Sequence, residues 1–384
     1  MLYRRFPKIG DLEISALGLG CMRLPTKGDD VAAIDEEAVE GLFRAAIDAG
    51  VNYVDTAWPY HRERSEEAVG RTIARLGIRD RVLLATKSPV WLVKEKGDWD
   101  RYLDLQLRKL GTDHVDFYLL HALGADRWKE VRRLGGLEFL ARARADGRIG
   151  HAGFSFHDSL AVFKEIVDGW SGWEFCQIQY NYTDEAFQAG SEGLTYAASR
   201  ELGVVVMEPL RGGSLARVPD PVKTIFGAWK TPRTPAEWGL RHVLDRQEVV
   251  TTLSGMGKVE ELLENAAVAS SAKPNSLISA ERALIHEARD FFAAKQRVPC
   301  TTCAYCKPCP SGVNIPDVFG LYNAAVMFDD LAGRGDWYQS AYVRSGSGAD
   351  QCTKCGECLE KCPQHIAIPD RLEEAHSWLT KKTA

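Results

Sequence analysis

The sequence predicts a (β/α)8 TIM barrel followed by a small, mainly helical C-terminal domain. Eight apolar segments with strand character alternate with helical periodicity over the first two-thirds of the 384 residues, which is the number of strand–helix units in such a barrel. The alternation stops after Ser271, where the turn-like KPNS precedes one more helical stretch and two groups of cysteines. We therefore expect a barrel over residues 1–275 and a second domain over residues 276–384.

The eight strand candidates are rich in apolar and β-branched residues and recur at regular intervals, which favours the barrel over a doubly wound sheet. They are SALGLG (15–20), VNYVD (51–55), RVLLATK (81–87), HVDFYLLH (114–121), RIGHAGFS (148–155), FCQIQY (175–180), GVVVME (203–208) and EVVTTL (248–253). In front of them, YRRF and LEIS flank a PKIGD turn and predict a hairpin that closes the bottom of the barrel.

Helical periodicity between the strands is clearest at 36–50, 65–77, 137–147, 193–203 and 259–269. Four of these stretches end at a glycine, as expected for the residue that follows a helix: Gly50, Gly77, Gly147 and Gly203.

The charge distribution argues against several classes of partner. The formal net charge is -5 with both signs interspersed, so nothing indicates a nucleic-acid footprint or a basic membrane patch. No apolar run approaches the ~18 residues of a membrane span, and no apolar segment of a signal peptide follows the basic N-terminal residues. We expect a cytoplasmic protein, in which thiols stay reduced and clustered cysteines bind metal.

Eight of the ten cysteines form two groups after residue 299. The first group reads C-TT-C-AY-C-KP-C-P and the second reads C-TK-C-GE-C-LEK-C-P. The second has the full bacterial C-x2-C-x2-C-x3-C-P spacing, and the first is one residue short in its last gap. Zinc sites use separate C-x2-C pairs instead, so we predict two [4Fe–4S] clusters with the ligands Cys300, Cys303, Cys306, Cys309, Cys352, Cys355, Cys358 and Cys362.

Residues 296–370 resemble the dicluster ferredoxin domains of the helical type, because helix-like sequence (317–333) separates the two cysteine groups. In two-cluster ferredoxins the fourth cysteine of a run ligates the other cluster, which implies that Cys309 joins the second group and Cys362 joins the first. His365 could hydrogen-bond near a cluster, although a surface histidine is the simpler interpretation.

The segment NYVDTAWPYHRERSEEAVG (52–70) resembles the signature of the aldo-keto reductases. Asp55 ends the second predicted strand and Tyr60 lies in the loop beyond it, while Lys87 and His121 end the third and fourth strands. These four residues match the catalytic tetrad of that family in type, order and position at strand C-termini. The resemblance covers about residues 1–270 and implies an oxidoreductase that acts on a carbonyl or hydroxyl group.

The resemblance also implies a role for each member of the tetrad. Tyr60 would be the general acid in reduction and the general base in oxidation. A neighbouring cation favours the phenolate, so we expect Lys87 to lower the pKa of Tyr60 by roughly 1–3 units. Asp55 would hold Lys87, and His121 would orient the carbonyl oxygen and donate to it.

Members of that family bind nicotinamide dinucleotide across the barrel mouth, and PLRGG (209–213) could cradle its pyrophosphate with backbone N–H groups. The positions that match its cofactor contacts are Gly20, Cys21, Met22, Ser155, Gln177, Met207, Pro209, Leu210, Arg211, Gly213, Ser254, Gly255, Met256, Lys258, Glu261, Glu264 and Asn265.

Three positions depart from the family pattern. The Ser-Asn pair that holds the carboxamide is Ser155–Phe156 here, and the aromatic residue that stacks on nicotinamide is matched by Met207. The arginine that grips the 2′-phosphate is matched by Glu261, which leaves Lys258 as the cation nearby. We therefore expect NADH to be accepted at least as well as NADPH, and a flavin in this site is an alternative.

Three hypotheses follow for the whole chain. The leading one is an NAD(P)H-linked oxidoreductase for a small, sugar-like carbonyl or hydroxyl compound. In the second, the barrel passes electrons between a redox partner protein and a bound cofactor; in the third, the clusters only brace the C-terminal region. The helix predicted at 281–296, about 24 Å long at 1.5 Å per residue, could return the chain to the strand C-termini, so we expect one cluster near the barrel mouth.

Overall fold

The computed structural model describes residues 1–28, 30–300, 305–362 and 364–381. The chain divides into two compact units. The barrel unit comprises Met1–Arg217 and Arg233–Ser279, and the C-terminal unit comprises Val218–Pro232 and Ala280–Ala384. We expected one boundary, between residues 275 and 276. The division differs mainly because residues 218–232 belong to the C-terminal unit, and the sequence gives no signal for this.

Ten strands in the described residues form two sheets. The hairpin pairs β1 (Tyr3–Arg5) antiparallel with β2 (Glu13–Ser15), as predicted. The other eight close into a parallel barrel in the order β10-β3-β4-β5-β6-β7-β8-β9, which confirms the (β/α)8 prediction. They are β3 (Leu17–Gly20), β4 (Tyr53–Asp55), β5 (Leu83–Ser88), β6 (Val115–Leu123), β7 (Ile149–Phe156), β8 (Phe175–Gln179), β9 (Gly203–Met207) and β10 (Val249–Ser254).

Helices follow the strands around the barrel and pack their apolar faces against it. Asp35 begins the first of them by accepting a hydrogen bond from the backbone N–H of Ala38, a usual N-cap. The helices of this part of the chain are α1 (Glu36–Asp48), α2 (Ser65–Leu76), α3 (Gly97–Leu110), α4 (Ala125–Arg133), α5 (Gly136–Ala145), α6 (Leu160–Asp168), α7 (Gly190–Ser199), α8 (Asp220–Gly227), α9 (Pro235–Leu244) and α10 (Val259–Ser271). Of these, α8 belongs to the C-terminal unit.

The prediction that Gly203 follows a helix is wrong. α7 already ends at Ser199, and Gly203 is the first residue of β9. A Cβ atom at Gly203 would lie 1.7 Å from a ring carbon of Phe6, so glycine is needed there to make room for that ring. Phe6, which follows β1, packs on Phe117 and Phe175 with ring centroids 5.5 and 5.7 Å away, and so fills the bottom of the barrel.

The C-terminal unit is helical and has its own apolar core. After α11 (Ser279–Ala294), its described helices are α12 (Ile315–Met327), α13 (Leu331–Tyr338), α14 (Glu357–Lys361) and α15 (Ile368–Leu379). The helix-like sequence at 317–333 is divided between α12 and α13, because Asp329 adopts a left-handed φ of 52° and Asp330 caps α13 through the N–H of Gly333. Tyr322 on α12 donates to Glu374 on α15 at 2.7 Å, which ties those two helices together.

Among the residues that the structure describes, none of the helices combines the length and the apolar character that crossing a membrane requires.

Candidate active site and cysteine groups

The four candidate catalytic residues meet at the C-terminal ends of three adjacent barrel strands. Asp55 ends β4, Lys87 lies in β5 and His121 in β6, with Tyr60 in the loop after β4. The Lys87 side chain is fully buried, and its Nζ donates to Asp55 Oδ1 at 2.6 Å and to the Thr56 carbonyl at 2.9 Å. Its third contact is the Tyr60 hydroxyl at 3.3 Å, so the ammonium has an acceptor for each of its three hydrogens.

Burial and neighbouring charges shift the pKa values of Lys87 and Tyr60 in opposite directions. Burial alone would lower the pKa of Lys87, but Asp55 and Tyr60 outweigh it and raise that pKa above its usual value. Burial raises the pKa of Tyr60, and Lys87 opposes this without overcoming it. The expectation that Tyr60 has a lowered pKa is therefore wrong. The loss of hydration destabilises the phenolate more than the charge of Lys87 stabilises it. Tyr60 keeps its proton and can act as an acid.

His121 is a neutral imidazole beside that tyrosine. Burial lowers its pKa well below the usual value, and the positive charges of Lys87 and Arg127 and the neighbouring His157 lower it further. Its ring stands edge-on to Tyr60, with centroids 6.1 Å apart. Its Nδ1 is buried and has no hydrogen-bond partner in the described part of the chain. A polar atom left this way is available to a substrate oxygen.

A buried polar network behind Lys87 was missed by the sequence interpretation. Glu66 in α2 is fully buried and accepts from Thr86 Oγ1 at 2.7 Å and from Gln106 Nε2 at 2.6 Å. Gln106 also donates to the backbone carbonyl of Lys87 at 3.0 Å and accepts from Tyr118 at 2.8 Å. The glutamate of the SEEAVG motif is thus a support for the strand that carries Lys87, and the partners on α3 and β6 could not be paired with it from sequence spacing.

The loop that carries Tyr60 is held by hydrogen bonds from His61 to the loop after β3. His61, Arg62 and Glu63 all have left-handed φ values, of 52°, 51° and 70°. His61 Nε2 accepts from the Leu24 N–H at 3.0 Å and its Nδ1 contacts the Val31 carbonyl at 2.6 Å. These contacts tie the loop after β4 to the loop after β3, and so hold Tyr60 against Lys87.

Ser155 and Gln177 lie at positions expected to contact the nicotinamide of the cofactor. Their side chains leave one hydrogen-bond donor and one acceptor free among the described residues. Ser155 Oγ accepts from the Ala122 N–H at 2.7 Å, which leaves its own hydrogen to donate. Gln177 Oε1 is buried with no partner in the described residues, and its Nε2 contacts Met207 Sδ at 3.6 Å. Phe156 is buried against Phe163 of α6, with centroids 5.1 Å apart, so it packs outside the barrel interior.

The loop after β9 forms a turn at Arg211–Ala216, in which Gly212 and Gly213 have φ values of 65° and 90°. Arg23, in the turn after β3, donates to the Gly212 carbonyl; sequence matching had passed over this residue. Arg211 contacts Thr183 Oγ1 at 3.2 Å and Asp184 at 3.4 Å. The glycines provide a flexible backbone cradle and Arg23 adds a cation beside it.

The remaining positions expected to contact the cofactor lie in β3, β10 and α10, in the turns beside them, and in the loop that follows β9. Glu261 accepts from the Gly257 N–H at 2.9 Å at the start of α10. Asn265 donates to Ser254 Oγ at 3.2 Å, and Glu264 accepts from Thr234. Cys21, Pro209, Leu210 and Met256 are buried, while Met22, Gly255 and Lys258 are exposed. A Cβ atom at Gly20 would approach the Ser254 carbonyl to 3.2 Å.

In the C-terminal unit, Cys309 lies with three cysteines of the second group. Five cysteines line one small cavity, namely Cys306, Cys309, Cys352, Cys355 and Cys358, and its walls include Ile315, Pro369 and Leu372. Burial raises the pKa of Cys358, and the neighbouring thiols of Cys352, Cys355 and Cys309 raise it further. The structure therefore places Cys309 of the first group close to three cysteines of the second group, with Cys306 beside them.

The first group is described in part. Cys303 lies outside the described residues, while Cys306 and Cys362 are both buried in the same apolar core, with Cys300 packed against it. The described residues contain no set of three ligands close enough for a single metal ion. The cysteines of a cluster bind four separate irons, so their sulfurs lie further apart than the ligands of one ion. His365 is exposed, in keeping with the surface interpretation.

Comparison with known proteins gives matches for both parts of the chain. The model of the aldo/keto reductase family matches residues 16–280, and the model of the 4Fe-4S dicluster domain matches residues 299–367. An uncharacterized oxidoreductase of Bacillus subtilis is 28% identical over 296 residues, which cover 68% of this chain and 90% of the relative. An aldo-keto reductase [NADP(+)] of Schizosaccharomyces pombe is 30% identical over 286 residues, covering 70% and 76%.

A solved structure supports the same assignment of the fold. The holo form of an aldo-keto reductase from Bacillus halodurans matches with a TM-score of 0.62 and 25% identity, over 75% of this chain and 96% of that one.

Proposed function

The chain belongs to the aldo/keto reductase family and carries a 4Fe-4S dicluster domain, and from that premise we propose that it reduces the carbonyl group of a small substrate with NADH or NADPH. The same site would oxidise the corresponding hydroxyl group in the reverse direction. The contact that carries the proposal is the buried Lys87, which joins Asp55 to the hydroxyl of Tyr60 at 3.3 Å. It creates a positioned proton donor at the strand ends where barrels place their chemistry.

When bound, the dinucleotide supplies a hydride, which is two electrons and one proton, to the carbonyl carbon. Tyr60 gives the second proton to the carbonyl oxygen, which becomes a hydroxyl. Lys87 stabilises the phenolate that remains until water reprotonates it. His121, neutral at physiological pH because its pKa is lowered by burial, hydrogen-bonds the carbonyl oxygen and fixes its direction. Aldehyde or ketone, reduced cofactor and one proton thus give alcohol and oxidised cofactor.

The residues present fit a nicotinamide ring. Gln177 Oε1, which lacks a partner in the described residues, would accept from the carboxamide nitrogen. Ser155 keeps a hydroxyl hydrogen to donate to the carboxamide oxygen. Gly213 and the neighbouring N–H groups, with Arg23, would hold the pyrophosphate. We propose that Met207 packs on the ring where the family has an aromatic residue.

We further propose that NADH is used at least as well as NADPH. Glu261 lies at the N-terminus of α10 and already accepts from the Gly257 N–H. A 2′-phosphate at that helix end would meet a carboxylate and would compete with it for the same N–H. The name of the yeast relative gives NADP(+) for that protein, whereas the proposal for this chain rests on its own Glu261.

The test of the reaction is the variant Tyr60→Phe, which removes the proton donor and little volume. Carbonyl turnover should fall by about 10²- to 10⁴-fold, while dinucleotide affinity measured by fluorescence titration stays within about threefold. Tyr3→Phe is the matched control, because Tyr3 is exposed in β1 and contacts Gly50 instead of the site. Full activity in Tyr60→Phe would refute the assigned role.

For the dicluster domain we propose two [4Fe–4S] clusters with crossed ligation. One would use Cys309, Cys352, Cys355 and Cys358, and the effect of the other three thiols on the pKa of Cys358 supports this set. The other would use Cys300, Cys303, Cys306 and Cys362, although Cys306 lines the same cavity as the first set. Anaerobically purified protein should contain about eight irons per chain. Stoichiometric zinc without acid-labile sulfide would contradict the assignment.

A second candidate function is one-electron exchange between the clusters, a redox partner and the cofactor site. It is favoured by the exposure of Cys355, which would give one cluster an edge open to a partner. A hydride carries two electrons and a cluster accepts one, so the exchange needs an adaptor such as a flavin. If the role is electron transfer, Cys355→Ser should abolish turnover with a reduced viologen and spare turnover with NADH. If the wild-type and Cys355→Ser proteins are equally active with the viologen and with NADH, the clusters only brace the C-terminal region.

A further inference from the structure

An arginine beside the candidate active site has a setting that the proposed reaction does not explain. Arg127 lies in the first turn of α4, just beyond the strand β6 that carries His121. Its Nη1 donates to the Ala122 carbonyl at 2.7 Å. The guanidinium carbon lies 5.3 Å from the ring centroid of Trp91, and Trp91 in turn lies 5.3 Å from the ring of His121. Trp91 is therefore a common neighbour of Arg127 and of the catalytic imidazole.

In the described part of the chain, Arg127 has no carboxylate partner. On the same helix, Arg133 pairs with Glu130 at 2.6 Å, which is the common arrangement for a surface arginine. The two nearest acids along the fold are used elsewhere. Asp126 is fully exposed and faces Lys129 at 3.8 Å, and Asp158 accepts from the backbone N–H groups of Ala125 and Ser159.

The guanidinium of Arg127 is partly shielded from water, and its charge reaches a neighbouring histidine. Arg127 is half-buried, and this burial lowers its pKa. The pKa of His157 is lowered by desolvation and, to a smaller extent, by the charge of Arg127. A half-buried guanidinium without a counter-charge is unfavourable. Its Nε and Nη2, which have no hydrogen-bond partner in the described residues, form the fork that binds carboxylate and phosphate.

We propose that Arg127 binds an anionic group of the substrate, so that the enzyme prefers short carbonyl compounds that carry a carboxylate or a phosphate. The carbonyl lies between Tyr60 and His121, and the anion lies at the guanidinium, which the Trp91 ring holds in place. Because Trp91 neighbours both Arg127 and His121, the two groups of the substrate are close enough to belong to one short molecule. This inference rests on the proposed carbonyl reduction.

The test uses pairs of aldehydes that differ in one charge. 4-Carboxybenzaldehyde is compared with its methyl ester, and glyceraldehyde 3-phosphate with glyceraldehyde, with NADH in low-salt buffer. We expect kcat/KM to favour the anionic member by about 10- to 100-fold, the contribution of a charge-assisted hydrogen-bonded pair. A preference confined to one pair identifies the anion as carboxylate or phosphate. Equal kcat/KM values in both pairs would overturn the proposal.

Variants separate recognition of the anion from support of the fold. Arg127→Gln should raise KM for the anionic aldehydes by about the same 10- to 100-fold and leave kcat/KM for the neutral aldehydes within about threefold. Arg127→Lys should restore part of the loss, because it restores the charge without the fork. Arg133→Gln removes the same charge from the exposed face of α4 and should change nothing. If Arg127→Gln lowers turnover of neutral and anionic aldehydes equally, Arg127 only braces the Ala122 carbonyl and the proposal fails.

A failure of the proposed reaction would give a different result. In that case no aldehyde is reduced with either dinucleotide, and the anion site is judged by calorimetric titration with 4-carboxybenzoate and inorganic phosphate. Tighter binding to the wild-type protein than to Arg127→Gln would support the site without the reaction. Identical heats for the two proteins would overturn the site as well.

Discussion

The two units of this chain prepare their sites in different ways. In the barrel, each candidate catalytic side chain extends from a strand or from a loop held by hydrogen bonds, and the Lys87 ammonium finds all its acceptors within the protein. In the described part of the C-terminal unit, Cys358 lies in the five-residue helix α14, and Cys306 and Cys362 form part of the apolar core itself. The barrel site is therefore preorganised by the fold, whereas the C-terminal unit is expected to depend on its metal for folding free energy.

Removal of iron should have the largest effect and should be confined to one unit. Chelation under reducing conditions would leave the ligands of the proposed clusters without their metal, and five of these cysteines line the cavity that Leu372 and Pro369 help to enclose. We expect loss of hydrogen-exchange protection throughout α12 and α15, with the barrel strands unchanged. The measurement is hydrogen–deuterium exchange by mass spectrometry before and after chelation. Full protection of α12 and α15 in iron-free protein would remove the contrast between the two units.

Breaking the buried ion pair should be the next largest effect. Lys87→Met leaves the buried Asp55 without its partner, which typically costs about 3–5 kcal/mol of unfolding free energy. The double variant with Asp55→Asn should recover most of that loss, because the uncompensated charge is gone. Lys129→Met, an exposed control, should change stability by less than about 0.5 kcal/mol. Urea unfolding measures all three, and a Lys87→Met protein as stable as wild type would show that the barrel site is not preorganised by this pair.

The acid limb of stability should report His121, which is partly buried in the barrel. Burial and the charge of Lys87 hold its folded-state pKa well below the usual value, so the unfolded chain binds a proton more readily. The stability that this histidine contributes should be complete above about pH 6.5 and fall as the pH drops, by up to about 1.4 kcal/mol per pH unit. Urea unfolding from pH 8 to 5 should show a shallower slope in His121→Asn. An unchanged slope would mean that this imidazole is not held neutral.

The smallest effect should be on the choice of dinucleotide. Glu261→Gln keeps a side chain that can accept from the Gly257 N–H but removes the charge at the start of α10. We expect kcat/KM with NADPH to rise about two- to fivefold, the usual size of a charge effect at a helix end, and that with NADH to stay constant. Glu260→Gln is the neighbouring exposed control. A wild-type preference of more than about a hundredfold for NADPH, about 2.7 kcal/mol, would show that Lys258 or another cation dominates.

Local signals in the sequence were sufficient for the barrel strands and for the tetrad. Apolar runs locate β3 to β10 within two residues, and the spacing of Asp55, Tyr60, Lys87 and His121 places them at strand ends. The sequence could not show the Glu66–Gln106 hydrogen bond or the position of Arg127 beside Trp91, since both depend on neighbours brought together by folding. The expectation for the pKa of Tyr60 failed for the same reason. It counted one nearby charge and left out the burial that the complete fold imposes.

The contact between Phe6 and Gly203 links the beginning of the chain to its seventh barrel strand. A side chain at residue 203 would collide with the ring, and a smaller residue at position 6 would leave a void among Phe117 and Phe175. A substitution at position 6 or at position 203 therefore requires a matching change at the other position. In chimeras that exchange N-terminal segments among related barrels, this pair should be inherited together, and a crossover placed between the hairpin and β9 should yield poorly folded recombinants unless both parents carry the same pair.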